Sequence, residues 1–139
     1  MVGIVLVTHP NMAEGMQKAA EMIVGPLEHF KAISVDPNEE NELVWSKISD
    51  AIKEVDDNDG ILILTDMFGG TPSNVSLSFL KENEIDIITG VNLPMLIKLS
   101  TYRKEKSKKD LSTLSQFIAQ YGKDHIHLAS SSLLKKDER

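Results

Sequence analysis

The sequence predicts an α/β fold: a three-layer sandwich in which helices cover both faces of a mostly parallel sheet. Two observations carry that prediction. "VGIVLV" and "ILILT" are short, β-branched apolar runs without polar alternation, as in strands buried on both faces. Stretches with apolar residues at helical spacing separate the strand-like runs, and strands spaced by helices join through right-handed crossovers in a parallel sheet. The chain of 139 residues shows no internal repeat, linker or low-complexity segment. It reads as a single domain over residues 1–130 with a C-terminal tail at 131–139.

The elements follow in order. Val2 to Val7 is a strand. Met12, Met16, Ala19, Ala20 and Ile23 mark a helix that Gly25-Pro26 stops. Phe30 to Val35 is a weaker strand, and Val44, Ile48, Ala51, Ile52 and Val55 mark an amphipathic helix ending before the turn "DDNDG". Ile61 to Thr65 is the clearest buried strand. Thr71-Pro72 reads as N-cap and first residue of a third helix running to about Glu82. "IDIIT" is a fourth strand, and Pro94 opens a helix ending near Tyr102. Asp110 caps a helix to Tyr121, and "HIHLASS" reads as a last strand. "KEKSKKD" is a solvated loop and "LLKKDER" a frayed end.

Composition limits the function. Net charge is −6, which excludes a nucleic-acid footprint at the level of the whole chain. With no Cys there are no disulfides, thiolate chemistry or Cys-based zinc sites. No apolar run approaches the ~20 residues of a membrane span. Met1 leads straight into a strand without the charged region of a signal peptide, so a cytoplasmic location is expected.

Ligands of open parallel sheets bind beyond the carboxyl ends of the strands. Three segments reach that edge with functional side chains: Thr8-His9, Thr65-Asp66 with "MFGGTPSN", and "TGVNLP". If strands one and three are neighbours, Asp66 meets His9, fixes its tautomer and leaves the other ring nitrogen free as a nucleophile. A carboxylate there favours a later cationic or phosphorylated state of the ring. Gly69 and Gly70 allow close backbone approach, and Thr71 caps a helix whose N-terminus presents unpaired N–H groups to an anion. Ser73 and Asn74 lie in the same first turn. Singly, each feature has a plain alternative: a loop histidine, a turn-capping Asp, a loop entering a helix. Their meeting at one edge favours function. His29, His125 and His127 lack such company and read as structural or surface residues, with no pattern for a metal site.

Four segments, "VTHPNMAEGM" with "AEMIVG", "ILILTDMFGGTPSN" and "TGVNLPML", resemble the enzyme IIA domain of the mannose family of the bacterial phosphoenolpyruvate-dependent sugar phosphotransferase system. The likeness spans nearly the whole chain, in order. It implies an enzyme IIA-like domain over 1–130 in which His9 accepts a phosphoryl group from the phosphocarrier HPr and passes it to a IIB domain, for sugar uptake through membrane IIC and IID components. It implies that Asp66 orients His9 and that Gly69, Gly70, Thr71 and Ser73 receive the phosphate. No metal or organic cofactor is needed, because the donor protein brings the activated group. It also implies a homodimer exchanging an antiparallel C-terminal strand, here "HIHLASS". One departure stands out: Pro10 follows the active histidine where the family usually has Gly. Pro lacks an N–H and restricts the residue before it, removing a backbone contact from residue 10 to phosphate; it is compatible with a helix's first turn.

A relay also needs an apolar docking collar, for which Met12, Met67, Phe68 and Leu93 are candidates. Two rival functions remain. The phosphotransfer subunit of dihydroxyacetone kinase shares fold and histidine, but is expected to lack "GGTPSN". A non-catalytic regulatory module binding an anion or partner at the same edge explains the glycine loop but leaves the pairing of His9 with Asp66 without a use.

Overall fold

The computed structural model describes residues 1–105 and 110–134. Its centre is a four-stranded, fully parallel sheet ordered β2-β1-β3-β4, made of β1 (Gly3–Thr8), β2 (Phe30–Ser34), β3 (Ile61–Thr65) and β4 (Ile85–Thr89). Alternation along the strands divides the core in two. Ile4, Leu6, Leu62 and Leu64 face a layer formed by α1 (Met12–Val24), α4 (Leu93–Tyr102) and α5 (Leu111–Asp124). Val5, Val7, Ile61 and Ile63 face α2 (Asn41–Val55) and α3 (Gly70–Leu77). The middle strands β1 and β3 are buried along their whole length, while every residue of the edge strand β4 is only half-buried. No helix among the described residues is long and apolar enough to cross a membrane.

Most expected elements stand where the sequence puts them. β3 and β4 coincide with "ILILT" and "IDIIT", and Asp110 caps α5 by accepting from the Thr113 N–H at 2.7 Å. Three expectations need correction. Pro10 is not the first helical residue: α1 starts at Met12, after Asn11 has turned the chain through a left-handed conformation (φ 68°). The third helix is capped by Gly69 rather than Thr71, with no side-chain cap, and ends at Leu77, well before Glu82. Gly69 and Gly70, both at positive φ, bring the chain into the helix two residues early. At the other end, Ser78, Phe79 and Leu80 donate three residues back rather than four, and the Ser78 hydroxyl bonds the Val75 carbonyl, tightening the last turn into a stop.

The third correction is at the C-terminus. "HIHLASS" forms no strand in the single chain: a loop leads to the short α6 (Ala129–Leu133), none of whose residues is buried. An unpaired strand would leave its main chain unbonded, whereas a helical turn satisfies part of it locally, as when Ser132 donates to the Leu128 carbonyl. α6 runs across position 130, the expected end of the domain. Part of the "KEKSKKD" loop (106–109) and most of the "LLKKDER" end (135–139) lie outside the described residues.

Candidate functional site

Adjacent parallel strands deliver their carboxyl ends to one rim. β1 lies beside β3 with Val7 opposite Thr65, so the residues that follow, His9 and Asp66, emerge side by side. Asp66 is nearly buried and His9 about two-fifths exposed (7% and 39% side-chain exposure), so the carboxylate backs the ring and the ring faces out. Asp66 Oδ2 accepts from the His9 main-chain N–H at 3.0 Å and stands 2.7 Å from His9 Nδ1. Its Oδ1 accepts from the Met67 N–H at 3.1 Å. Burial alone would raise the Asp66 carboxyl; the bonds from the His9 main chain and ring outweigh it and hold Asp66 below the usual carboxylate range. An ionised carboxylate only accepts, so Nδ1 carries the proton and Nε2 keeps its lone pair.

Nε2 meets the start of α3. A Cβ on Gly70 would stand 3.0 Å from His9 Cε1 and 3.1 Å from Nε2, so any larger residue would press on the ring. Gly70 also has φ +79°, a conformation that L side chains rarely adopt. The first N–H groups of a helix have no intrahelical acceptor and carry the positive end of its dipole; Gly70, the first residue of α3, lies beside Nε2. Pro72, third in the helix, has no N–H to leave unpaired.

The rim thus gathers His9, Asp66, Gly69, Gly70 and Thr71. Ser73 lies in the same turn, but its hydroxyl points inward: it is fully buried, bonded to the Met67 carbonyl and 2.7 Å from Thr65 Oγ1. Met12, Met67 and Phe68 surround the site with exposed apolar surface, whereas Leu93 packs against the core. The sequence reading passed over Ser34 and Glu14. Ser34 ends β2 opposite Thr8; its hydroxyl accepts from the Asn11 N–H at 3.1 Å and donates to Glu14 Oε2 at 2.7 Å, pinning the turn that carries His9 and Pro10. The signal was available: Ser34 is the last residue of a strand reaching the same edge.

The other histidines stay away from this rim. His29 ends the loop into β2, its Nε2 3.7 Å from Asp57 Oδ2. His125 closes α5, stacked on Tyr121 at 3.7 Å between centroids, with His127 edge-on to it.

The family model of the PTS system fructose IIA component matches residues 3–115. The chain belongs to this enzyme IIA family of the sugar phosphotransferase system. Among its relatives, the fructose-specific EIIA component of Bacillus subtilis (strain 168) is 28% identical over 131 residues, covering 91% of this chain and 90% of that protein. The sorbose-specific EIIA component of Lacticaseibacillus casei is 36% identical over 109 residues, 78% of each. The crystal structure of a phosphotransferase system component EIIA from Streptococcus agalactiae superposes with a TM-score of 0.81 at 28% identity, covering 94% of this chain and 99% of that one. This enzyme IIA component is therefore a phosphotransferase component.

Proposed function

We propose that His9 receives a phosphoryl group on Nε2 from the phosphocarrier HPr and passes it to a IIB domain, which hands it on to sugar entering through membrane IIC and IID components. The observation that carries this reading is the pairing of Asp66 with His9 Nδ1 at 2.7 Å, which turns the unprotonated Nε2 toward the open helix end. In the step, the N–P bond to the donor histidine breaks as the bond to Nε2 forms. No proton need move, because Nδ1–H stays on Asp66. The imidazole gains positive character as it bonds phosphorus, and the buried carboxylate behind it stabilises that state. The main-chain N–H groups of Gly69, Gly70 and Thr71 take the phosphoryl oxygens, as helix N-termini take other anions. Ser73 adds no hydroxyl to that set.

Met12, Met67 and Phe68 suit an exposed collar against which a carrier protein docks. A protein working this way belongs in the cytoplasm, beside its membrane partners. The proposed homodimer has support of its own kind: among the described residues no strand pairs with the outer side of β4, which carries only the Lys81–Ile85 bridge at its start, and Ile126 and Leu128 are exposed apolar residues on the segment expected to exchange.

The test is to incubate the protein with phosphoenolpyruvate, enzyme I and HPr and to weigh intact wild type and His9→Ala. One acid-labile phosphoryl group on wild type and none on the folded variant is expected. No transfer to folded wild type, with an established enzyme IIA as working control, would leave the regulatory module as the better reading.

A further inference from the structure

The peptide after Asp66 is held at both ends. The Met67 N–H donates to Asp66 Oδ1 at 3.1 Å, and the Met67 carbonyl accepts from the Ser73 hydroxyl in α3. Ser73 and Thr65 are both fully buried, their hydroxyl oxygens 2.7 Å apart, with Thr65 Oγ1 also 3.4 Å from the Met67 carbonyl. One proton order uses every group. A carbonyl only accepts, so Ser73 donates to Met67; Ser73 then accepts from Thr65.

This chain ties together the two parts of the site that must agree in position. Asp66 sets the His9 tautomer from one side, and the start of α3 faces Nε2 from the other. Between them run only Met67, Phe68 and Gly69, the last at positive φ, with Met67 and Phe68 exposed. Such a loop has little packing of its own, and the Ser73 hydroxyl is the side-chain bond from α3 that holds it.

We propose that Ser73 is a positioning residue of the phosphoryl site: its hydroxyl locks the peptide after Asp66 to the first turn of α3, so that the carboxylate behind His9 and the helix end in front of it hold one register. This rests on the relay reading above and assigns Ser73 a different task from binding phosphate. In Ser73→Ala the Met67 carbonyl keeps only the long contact from Thr65, the loop gains freedom, and Asp66 no longer meets Nδ1 in one geometry. The ring then samples both tautomers, and transfer slows without loss of the docking surface.

Ser76 supplies a matched control. It is equally buried on the same helix, but its hydroxyl bonds the Pro72 carbonyl at 2.5 Å, within α3 and apart from the loop. Transfer from phospho-HPr would be measured against HPr concentration for wild type, Ser73→Ala and Ser76→Ala. The His9 ring tautomer would be read by 15N NMR, and folding by denaturant titration. Ser73→Ala is expected to lower kcat about ten- to a hundred-fold at nearly constant KM, as small misplacements of reacting groups do. Its ring should shift from the Nδ1–H form toward a mixture, while Ser76→Ala keeps the wild-type kcat and tautomer. If Ser73→Ala does not fold, Ser73→Cys keeps the volume with a weaker donor and should move both readouts the same way. Wild-type kcat and tautomer in the folded Ser73 variant, or equal losses in Ser76→Ala, would overturn the proposal. Absence of transfer to wild type would strike the relay itself, a result separate from either.

Discussion

A carboxylate that accepts from both the main chain and the ring of one histidine leaves that ring a single orientation, and Asp66 does this for His9. Asp66→Asn keeps the shape but gives the amide an N–H to offer, so Nδ1 can become the acceptor and Nε2 the protonated nitrogen. Transfer should fall by about two to four orders of magnitude, as in other sites where the partner of a reactive histidine loses its charge; stopped-flow transfer from phospho-HPr measures it. Stability carries a second signature. The folded Asp66 pKa lies below its unfolded value, so its contribution is fully present above the unfolded value of about 4 and is lost as pH falls through the folded one. The difference in unfolding free energy between wild type and Asp66→Asn should be flat above about pH 5 and shrink below about pH 4; urea titrations across that range would show it. Gly70→Ala places a methyl about 3 Å from the ring and strains a positive φ by ~1–2 kcal/mol. It should fold, with a lower urea midpoint, and transfer poorly. The meeting of Asp66 with His9 was legible in the sequence because residue types at the ends of neighbouring strands suffice to suggest it. The inward turn of Ser73 was not, because a hydroxyl in a first helical turn reads the same whether it faces an anion or a carbonyl.

At the scale of elements, apolar runs and periodicity gave β1, β3, β4 and four of the helices, since buried strands and amphipathic helices both write their burial into the sequence. α3 escaped in its extent because its stop is made by Ser78 bonding backward and by tight turns, without a Gly or Pro to mark it. Asn92 shows a related blind spot. Its side-chain oxygen accepts from the Met95 N–H at 3.2 Å, while its amide donates to the Gly122 carbonyl at 3.0 Å, so one residue both caps α4 and ties it to α5. Pro94 marks the start of this helix but leaves Asn92 unread, and the tie depends on a residue 30 positions away. Asn92→Ala should therefore cost about 1–2 kcal/mol in chemical denaturation. Phosphoryl transfer should stay near wild type, because this joint lies outside the His9–Asp66 pair.

At the scale of the whole molecule, the candidate site lies at one end of the sheet. A cleft of about 730 Å³ opens at the other, around Gly60, Ile61, Glu84 and Ile85 at the amino ends of β3 and β4. Enclosed volume thus does not mark the candidate site; a phosphoryl relay between proteins needs an exposed nitrogen on a rim, which His9 provides. The C-terminal segment makes the opposite point about what a sequence conveys. The segment reads as a strand, yet a strand requires a neighbour, and among the described residues this segment pairs with none. On the proposed dimer, the open edge of β4 in a second copy is that neighbour. Light scattering should then give a dimer mass for the full chain and a monomer for a chain truncated after Asp124, whereas a full-length monomer would count against exchange.

The central claim is that Asp66 directs phosphoryl transfer to one particular nitrogen. The direct measurement is 31P and 15N NMR of the protein, labelled at its histidine ring nitrogens and phosphorylated through phosphoenolpyruvate, enzyme I and HPr. A single phosphorus coupled to Nε2 of His9, with the proton still on Nδ1, is the predicted result. Phosphorus on Nδ1, or on any residue other than His9, would contradict it.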